Sequence, residues 1–257
     1  MFIINLLLLS LAINIVFFVV AYKLKTDKFT DGTYALTFFS LAAFSLLGNR
    51  HPSVLSIVAF VMVSLWAVRI GVFLVRRIRK VGKDSRFDEM RGSLLKFGKF
   101  WLGQAITSWV VMIPAALAIN NGGSWQMVNW LGISMWAIGL KTETLADWQK
   151  NKFRNNPNNK NRWIETGLWK YSRHPNYFGE MLVWSGLYIF ALPSLNGMAK
   201  IAAAISPLFI IGIIMFVTGV PILEKTADEK WGDDPKYQSY KKRTSVLVPL
   251  PNFRDKK

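Results

Sequence analysis

Side chains that can bind an anionic ligand are concentrated between residues 147 and 180. Arginine suits phosphate because its forked N–H groups bind two oxygens at once. The end of this segment, residues 167–180, reads GLWKYSRHPNYFGE and runs directly into apolar residues 181–195. A cationic patch therefore lies where a water-facing loop meets a hydrophobic helix, which suits an anionic soluble ligand held next to a membrane-dissolved one. The candidate residues are Asp147, Arg154, Arg162, Arg173, His174, Asn176 and Glu180.

The spacing of these residues indicates which of them share a helix face. Asp147 and Arg154 are seven residues apart, so a helix that continues through both would present them on one side. Asn176 and Glu180 are one helical turn apart at the start of an apolar helix, where an acid is costly unless it has a partner. We expect a functional role for this second pair. For the basic residues, the alternative is that they reach out to lipid headgroups.

Three further residues in other parts of the chain are candidates. Arg69 lies within an apolar segment, about two turns from its end, so it either reaches the interface or meets a phosphate or carboxylate in the interior. Trp66, on the same helix, is either a core aromatic or part of a pocket. Glu224 follows the last apolar segment and has Lys225, Arg69 or a ligand as its possible partners.

The composition excludes several kinds of site. There are no cysteines, so disulfides, thiolate nucleophiles and Cys-ligated metals are excluded. His51 and His174 are the two histidines, which excludes a multi-histidine metal site within one chain, and we predict no metal. His174 precedes Pro175, which holds it in an extended conformation. A Gly-x-Gly-x-x-Gly turn, a P-loop and a His-Glu-x-x-His motif are all missing.

The apolar segments predict an all-α, polytopic membrane protein. Hydrophobic residues make up 52% of the chain, and the mean hydropathy is +0.25. Apolar runs near the length of a bilayer crossing are typical of transmembrane helices. We predict about seven transmembrane helices, and a polar extension of the fifth reaches residue 153. The predicted spans are residues 2–22, 34–47, 53–75, 100–119, 125–140, 181–195 and 199–223.

The distribution of basic residues predicts the orientation. If the N-terminus is outside and seven spans alternate, all 32 Lys and Arg residues except Arg50, Lys200 and the intramembrane Arg69 lie on one face. That asymmetry marks the cytoplasmic side. Loops 76–99 and 141–179 and tail 224–257 then face the cytoplasm, and the chain forms a single domain in the inner (plasma) membrane. Much of the net charge of +17 reflects topology and attraction to anionic lipid, so no nucleic-acid partner is expected.

The 167–180 motif resembles the signature of the steroid 5α-reductase family. These membrane enzymes use NADPH to reduce a carbon–carbon double bond conjugated to a carbonyl. The chain is similar to a bacterial branch whose substrates are mostly unassigned, and the motifs KTDKFTD at 25–31 and GKDSRFD at 82–88 also resemble that branch. The resemblance is strongest over residues 146–223. It implies seven transmembrane helices with the N-terminus outside, in agreement with the predicted topology.

The resemblance implies a set of NADPH-binding residues. Asp147 and Arg154 match residues at the adenosine end, and Arg162 matches a further basic residue there. Asn176 and Glu180 match residues near the nicotinamide. The full set is Arg69, Asp147, Arg154, Arg162, Tyr171, Arg173, His174, Asn176, Tyr177 and Glu180.

The catalytic side of the resemblance is less complete. Hydride goes to the β-carbon of the enone in such reductases, and a polar residue on the carbonyl oxygen stabilises the developing charge. The candidates are Glu180, Glu224 and Trp66. Trp66 stands where the steroid enzymes have a tyrosine that polarises the carbonyl, and an indole donates a hydrogen bond but supplies no proton. Val220 and Glu224 stand where those enzymes have Arg and His.

Two alternatives stay open. The pattern Arg-His-Pro-x-Tyr-x-Gly at 173–179 and the tail from Glu224 to Pro249 are also similar to isoprenylcysteine carboxyl and phospholipid methyltransferases, which use S-adenosylmethionine. Those enzymes usually have a second Glu where this chain has Lys225. The continuation NYFGE and the basic surroundings favour the reductase, since NADPH carries three phosphates and S-adenosylmethionine is cationic. The second alternative is a non-catalytic, lipid-binding membrane protein.

Overall fold

The computed structural model describes residues 1–82, 84 and 87–251. Lys83, Ser85 and Arg86 of the 82–88 motif, and the end of the predicted tail, lie outside the described residues. Within the described part of the chain the fold is helical and has no strand, apart from one isolated bridge between Ser172 and Ser245. The all-α prediction is therefore confirmed.

Ten α-helices follow one another along the described chain. Ser53 and Ser93 cap the third and fourth helices by accepting hydrogen bonds from Ser56 N and Lys96 N. Short 3-10 turns precede and follow the sixth. The helices are α1 Phe2–Lys23, α2 Thr30–Leu47, α3 Val54–Val81, α4 Leu94–Asn121, α5 Met127–Asn155, α6 Pro175–Ala191, α7 Met198–Ala203, α8 Ile205–Phe216, α9 Val220–Trp231 and α10 Pro235–Arg243.

Several helical stretches are long and apolar enough to cross a membrane. Among the described residues there are four: Phe2–Lys23, Val54–Lys80, Leu94–Asn121 and Met198–Trp231. They fit a multi-pass membrane protein. The other predicted spans fall in α2, α5 and α6, which do not meet the same criteria of length and apolarity.

The predicted seventh span, residues 199–223, falls within the apolar stretch Met198–Trp231, although this stretch is not one regular α-helix. The structure divides the predicted span into α7, α8 and the beginning of α9. A proline ring clashes with the carbonyl four residues earlier and lacks an N–H group. Pro207 lies four residues after Ala203, where α7 ends, and Pro221 lies four residues after Val217, just past the end of α8. Pro114, by contrast, lies inside α4, which continues through it.

The chain divides into two compact units. The first comprises Met1–Gly132 and Leu187–Ser206 and contains α1 to α4. In it, the motifs at 25–31 and 82–88 meet: Asp84 N donates to Asp27 Oδ2 at 2.8 Å, and Arg91 Nε lies 2.9 Å from Asp27 Oδ1. The second comprises Ile133–Gly186 and Pro207–Lys257 and contains most of α5 and α6 together with α9 and α10.

Glycines allow α5 and α6 to approach closely in the second unit. A Cβ added at Gly139 would lie 2.7 Å from the carbonyl oxygen of Gly179, and one at Gly179 would lie 2.6 Å from Glu143 N. Gly139 also faces Val183. Gly139 contacts Gly179 and Val183, whereas Glu143, further along α5, contacts Gly179. Because higher numbers in α5 meet lower numbers in α6, the two helices pack antiparallel. This crossing places Glu143 next to the start of α6.

Candidate functional site

A cavity of about 280 Å³ lies in the second unit. The end of α5, the loop that follows it, the 167–174 segment, α9 and α10 all contribute to its wall. Of the described residues that line it, five are basic and one, Glu224, is acidic. The basic residues are Lys150, Arg154, Arg162, Arg173 and Lys230. Because the lining carries a clear excess of positive charge, it favours an anionic ligand.

Aromatic rings form much of the rest of the wall. Trp163 packs edge-on against Tyr237, with ring centroids 5.3 Å apart, and against Trp231 at 6.1 Å. Lys230 Nζ lies 4.8 Å from the centroid of the Trp231 ring. Trp169 also lines the cavity. Flat aromatic surfaces next to cationic groups suit a ligand with a planar ring and attached phosphates.

Glu224 is the centre of an ion-pair network at the base of this region. Its carboxylate lies 3.0 Å from Arg173 Nη2, 2.8 Å from His174 Nε2 and 3.5 Å from Lys241 Nζ. Of the possible partners named for Glu224, Lys225 is not among these contacts, and its Nζ lies 3.9 Å from Glu229. Lys225 points elsewhere because neighbouring residues on a helix do not share a face. A carboxylate with this many cationic and N–H partners is held in its ionised, acceptor-only form.

His174 is almost fully buried, with 5% of its surface exposed. Burial lowers the pKa of the imidazole, while the hydrogen bond to Glu224 opposes that shift. A neutral ring in this place donates from Nε2 to Glu224, which leaves Nδ1 as an acceptor. Nδ1 is buried and has no hydrogen-bond partner among the described residues. The ring stacks on Tyr177, with centroids 5.7 Å apart.

The C-terminal segment fixes the 167–174 segment in place. Arg173 Nη1 donates to the Lys241 carbonyl at 2.6 Å, and Ser172 Oγ donates to the Leu247 carbonyl at 2.6 Å. Tyr240 Oη donates to the Trp169 carbonyl at 2.9 Å. Burial raises the pKa of Tyr240, so its hydroxyl stays protonated as a donor. The tail is thus part of the cavity's structure.

Other predicted residues lie on α5 and α6 and are not among those that line the cavity. Asp147 is buried on α5, and Asn176 and Glu180 lie in the first two turns of α6. The Oδ1 atom of Asn176 is buried and has no hydrogen-bond partner among the described residues. Glu143, which the sequence analysis did not single out, is also buried here. Tyr171 and Tyr177 likewise do not appear in the lining.

Trp66 and Arg69 belong to the first unit. The Trp66 side chain is fully buried, and its ring packs edge-on against Phe38 at 5.0 Å and Tyr34 at 6.2 Å. Arg69 is partly buried, with its Cζ 5.6 Å from the Phe73 ring centroid. The contacts of Trp66 are those of a core aromatic.

The structure also adds residues that the sequence analysis did not assign to the site. Lys150, Lys230 and Trp231 line the cavity, as do Tyr237 and Tyr240. The tail pattern from Glu224 to Pro249 was a signal for the last three, but spacing alone does not show that the tail folds back over the 167–174 segment. No group of three or more His, Asp or Glu side chains in the described part of the chain could hold a metal ion.

Comparison with known proteins places the chain in a family. A family model described as a protein of unknown function, DUF1295, matches residues 17–244. The chain belongs to the DUF1295 family. This family corresponds to the steroid 5α-reductase-like family, while the particular bacterial branch and the reductase activity stay predictions. An uncharacterized protein of Schizosaccharomyces pombe is 24% identical over 279 residues, covering 95% of this chain and 78% of the yeast protein. No solved structure matches the chain.

Proposed function

We propose that this DUF1295 protein is a membrane-embedded, NADPH-dependent reductase of a carbon–carbon double bond in a lipophilic enone. The observation that carries the proposal is the charge of the cavity lining, five basic residues against one carboxylate that is itself paired. Such a lining opposes a cationic ligand and favours one with several phosphates. NADPH, when bound, supplies the hydride that such a reduction needs.

The cavity is sized for one end of a dinucleotide. Its volume of about 280 Å³ is at the lower limit of the roughly 300–1,000 Å³ typical of ligand pockets. Arg154 and Arg162, which the resemblance assigns to the adenosine end, line it together with Trp163 and Trp231. We therefore assign the cavity to the phosphorylated adenosine end. In this proposal the nicotinamide end extends towards Asn176 and Glu180, as the resemblance implies.

The chain's own residues have distinct tasks in this proposal. Arg154 and Arg162 bind the 2′-phosphate that distinguishes NADPH from NADH. Glu224 positions Arg173 and His174, and it carries no proton to donate. Glu180 remains the candidate carboxylate nearest the reaction. The substrate enters from the bilayer, and a polar group on its carbonyl oxygen stabilises the charge that develops there.

The proposed membrane topology places the cavity on the same side of the membrane as the cofactor. Seven spans with the N-terminus outside would place the basic cavity on the cytoplasmic side of the inner membrane, where NADPH is available. α2, α5 and α6 would then cross the bilayer in addition to the four stretches named above. Reporter fusions at Asn49, between α2 and α3, and at Asn159, after α5, would test this orientation.

A methyltransferase is the second candidate function. Arg173 and His174 of the shared Arg-His-Pro pattern line the cavity, as do Trp231, Tyr237 and Tyr240 of the shared tail. Because the methyltransferases share these residues, their position in the cavity wall supports S-adenosylmethionine as an alternative ligand. The cationic sulfonium of this cofactor, however, would meet the basic lining described above, which disfavours it. A non-catalytic lipid-binding protein is the third candidate, and turnover of NADPH with lipophilic enones would exclude it.

Substitution of Arg154 by alanine tests the cofactor assignment. We expect Arg154→Ala to weaken NADPH binding by about tenfold or more, because a charge-assisted contact to phosphate contributes roughly 1.5–3 kcal/mol. NADH binding should change far less. Lys152→Ala is the matched control: Lys152 is on the same helix and exposed, but it is absent from the cavity lining. Equal losses for NADPH and NADH in Arg154→Ala would remove the assignment of Arg154 to the 2′-phosphate.

A further inference from the structure

One face of α5 is exposed and apolar over most of its length. Exposed side chains recur along it every three or four residues, as expected for a single helix face. Ile138 is 57% exposed, Leu145 37% and Trp148 55%. Leu145 and Trp148 lie beyond Leu140, where the apolar sequence ends. The exposed residues of this face are Met127, Trp130, Leu131, Ser134, Ile138, Lys141, Leu145 and Trp148, and all but Ser134 and Lys141 are apolar.

The length of this face matches the bilayer. With a rise of 1.5 Å per residue, Trp148 lies about 30 Å along the helix axis from Met127. The hydrocarbon core of a typical bilayer is also about 30 Å thick. Lys141, which lies on the same face and is exposed, has a long side chain that can run along an apolar surface and keep its charge at the interface.

The opposite face of α5 explains why its sequence looks too polar for a membrane span. Glu143 is 3% exposed and Asp147 is 5% exposed. The glycine crossing described above covers this face with α6. Acidic residues that point into the protein lower the mean hydropathy of a helix without contacting lipid. Average hydropathy therefore understates how much of α5 can lie in the bilayer.

The end of the apolar face has the composition of a membrane–water interface. The Lys152 Nζ atom lies 5.0 Å from the centroid of the exposed Trp148 ring. Beyond Trp148, the exposed side chains of the helix are polar: Asn151, Lys152, Arg154 and Asn155. Tryptophan and lysine together are typical of the headgroup layer.

We propose that α5 contacts the bilayer from Met127 through Trp148, and that its membrane–water boundary lies at Trp148 and Lys152. This boundary is about two turns beyond Leu140. Glu143 and Asp147 then lie at hydrocarbon depth, on the side of the helix that faces the protein. The proposal does not depend on the cofactor, since it rests on exposure, length and the residues at the helix end.

Spin labelling tests this boundary, and the absence of cysteine makes single labelling sites simple to prepare. We would attach a nitroxide at Leu131→Cys, Leu145→Cys, Trp148→Cys or Asn155→Cys in phospholipid nanodiscs. Collisions with oxygen, which concentrates in lipid, and with a water-soluble nickel chelate would be compared. Leu131→Cys and Asn155→Cys are the lipid and water references.

The expected result is that Leu145→Cys resembles Leu131→Cys, with oxygen accessibility several-fold above that of the nickel chelate. Trp148→Cys should fall between the two references. If the label at Leu145→Cys behaves like the one at Asn155→Cys, the boundary lies near Leu140 and the proposal is overturned. Thr144→Cys, on the same exposed face, serves as a second test if Leu145→Cys does not fold.

Discussion

Glu224 connects residues that are far apart in the sequence, and its contacts decide what it can do. Arg173 and His174 both bind its carboxylate, and Lys241 approaches from α10. The carboxylate side chain is 17% exposed, so the network is shielded from water to a large extent. Because these partners keep the carboxylate ionised, we infer that Glu224 orients its neighbours.

We expect Glu224→Gln to lower the melting temperature and reduce the free energy of unfolding by about 1–3 kcal/mol, because the basic partners lose their counter-charge. Lys225→Gln is the matched control. Its side chain is 79% exposed, and we expect a change of about 0.5 kcal/mol or less. Thermal unfolding in detergent measures both. A Glu224→Gln protein with unchanged stability and abolished turnover would indicate that Glu224 is the acid.

At the scale of elements, the α5–α6 crossing depends on two positions without side chains. The added Cβ at Gly179 would meet backbone atoms of α5, which cannot move aside without shifting the helix. We expect Gly179→Ala to destabilise the protein by about 1–3 kcal/mol through overpacking. Gly212→Ala on α8 is the control, since nothing lies within 4 Å of the added Cβ. Chemical denaturation of both variants should separate them; equal stability would contradict the close crossing.

The helices show what can be predicted from sequence and what cannot. The apolar runs of α1, α3 and α4 can be recognised from sequence as candidate membrane spans because they are long and contain few charged residues. α5 is harder to recognise, because the buried acids Glu143 and Asp147 lower the mean hydropathy of the helix. The breaks on either side of α8 lie at the positions expected for Pro207 and Pro221, whereas α4 continues through Pro114.

The site was predictable in part, because some of its residues can be recognised by residue type and others cannot. Arg154, Arg162 and the 173–174 pair were identified by residue type, and the structure places them on one cavity. Lys150 and Lys230 were not identified, because a lysine in a basic loop or tail of a membrane protein usually reflects membrane topology. These two lysines can be told apart from the other basic residues once the structure shows α9 and α10 folded over the 167–174 segment, because they then line the cavity.

For the whole molecule, a basic, aromatic cavity occurs in a chain with several helical stretches that are long and apolar enough to cross a membrane. This combination fits a soluble, phosphorylated cofactor at one end and a lipophilic substrate from the bilayer. The reductase and methyltransferase proposals then differ mainly in the charge of the cofactor.

A thermal-shift titration of the purified protein in detergent tests this central claim most directly, because a ligand that binds the folded state raises its melting temperature. We predict that NADPH raises the melting temperature in a concentration-dependent manner, that NADH does so only at higher concentration, and that S-adenosylmethionine has no effect. A rise with S-adenosylmethionine and none with NADPH would contradict the proposed reductase.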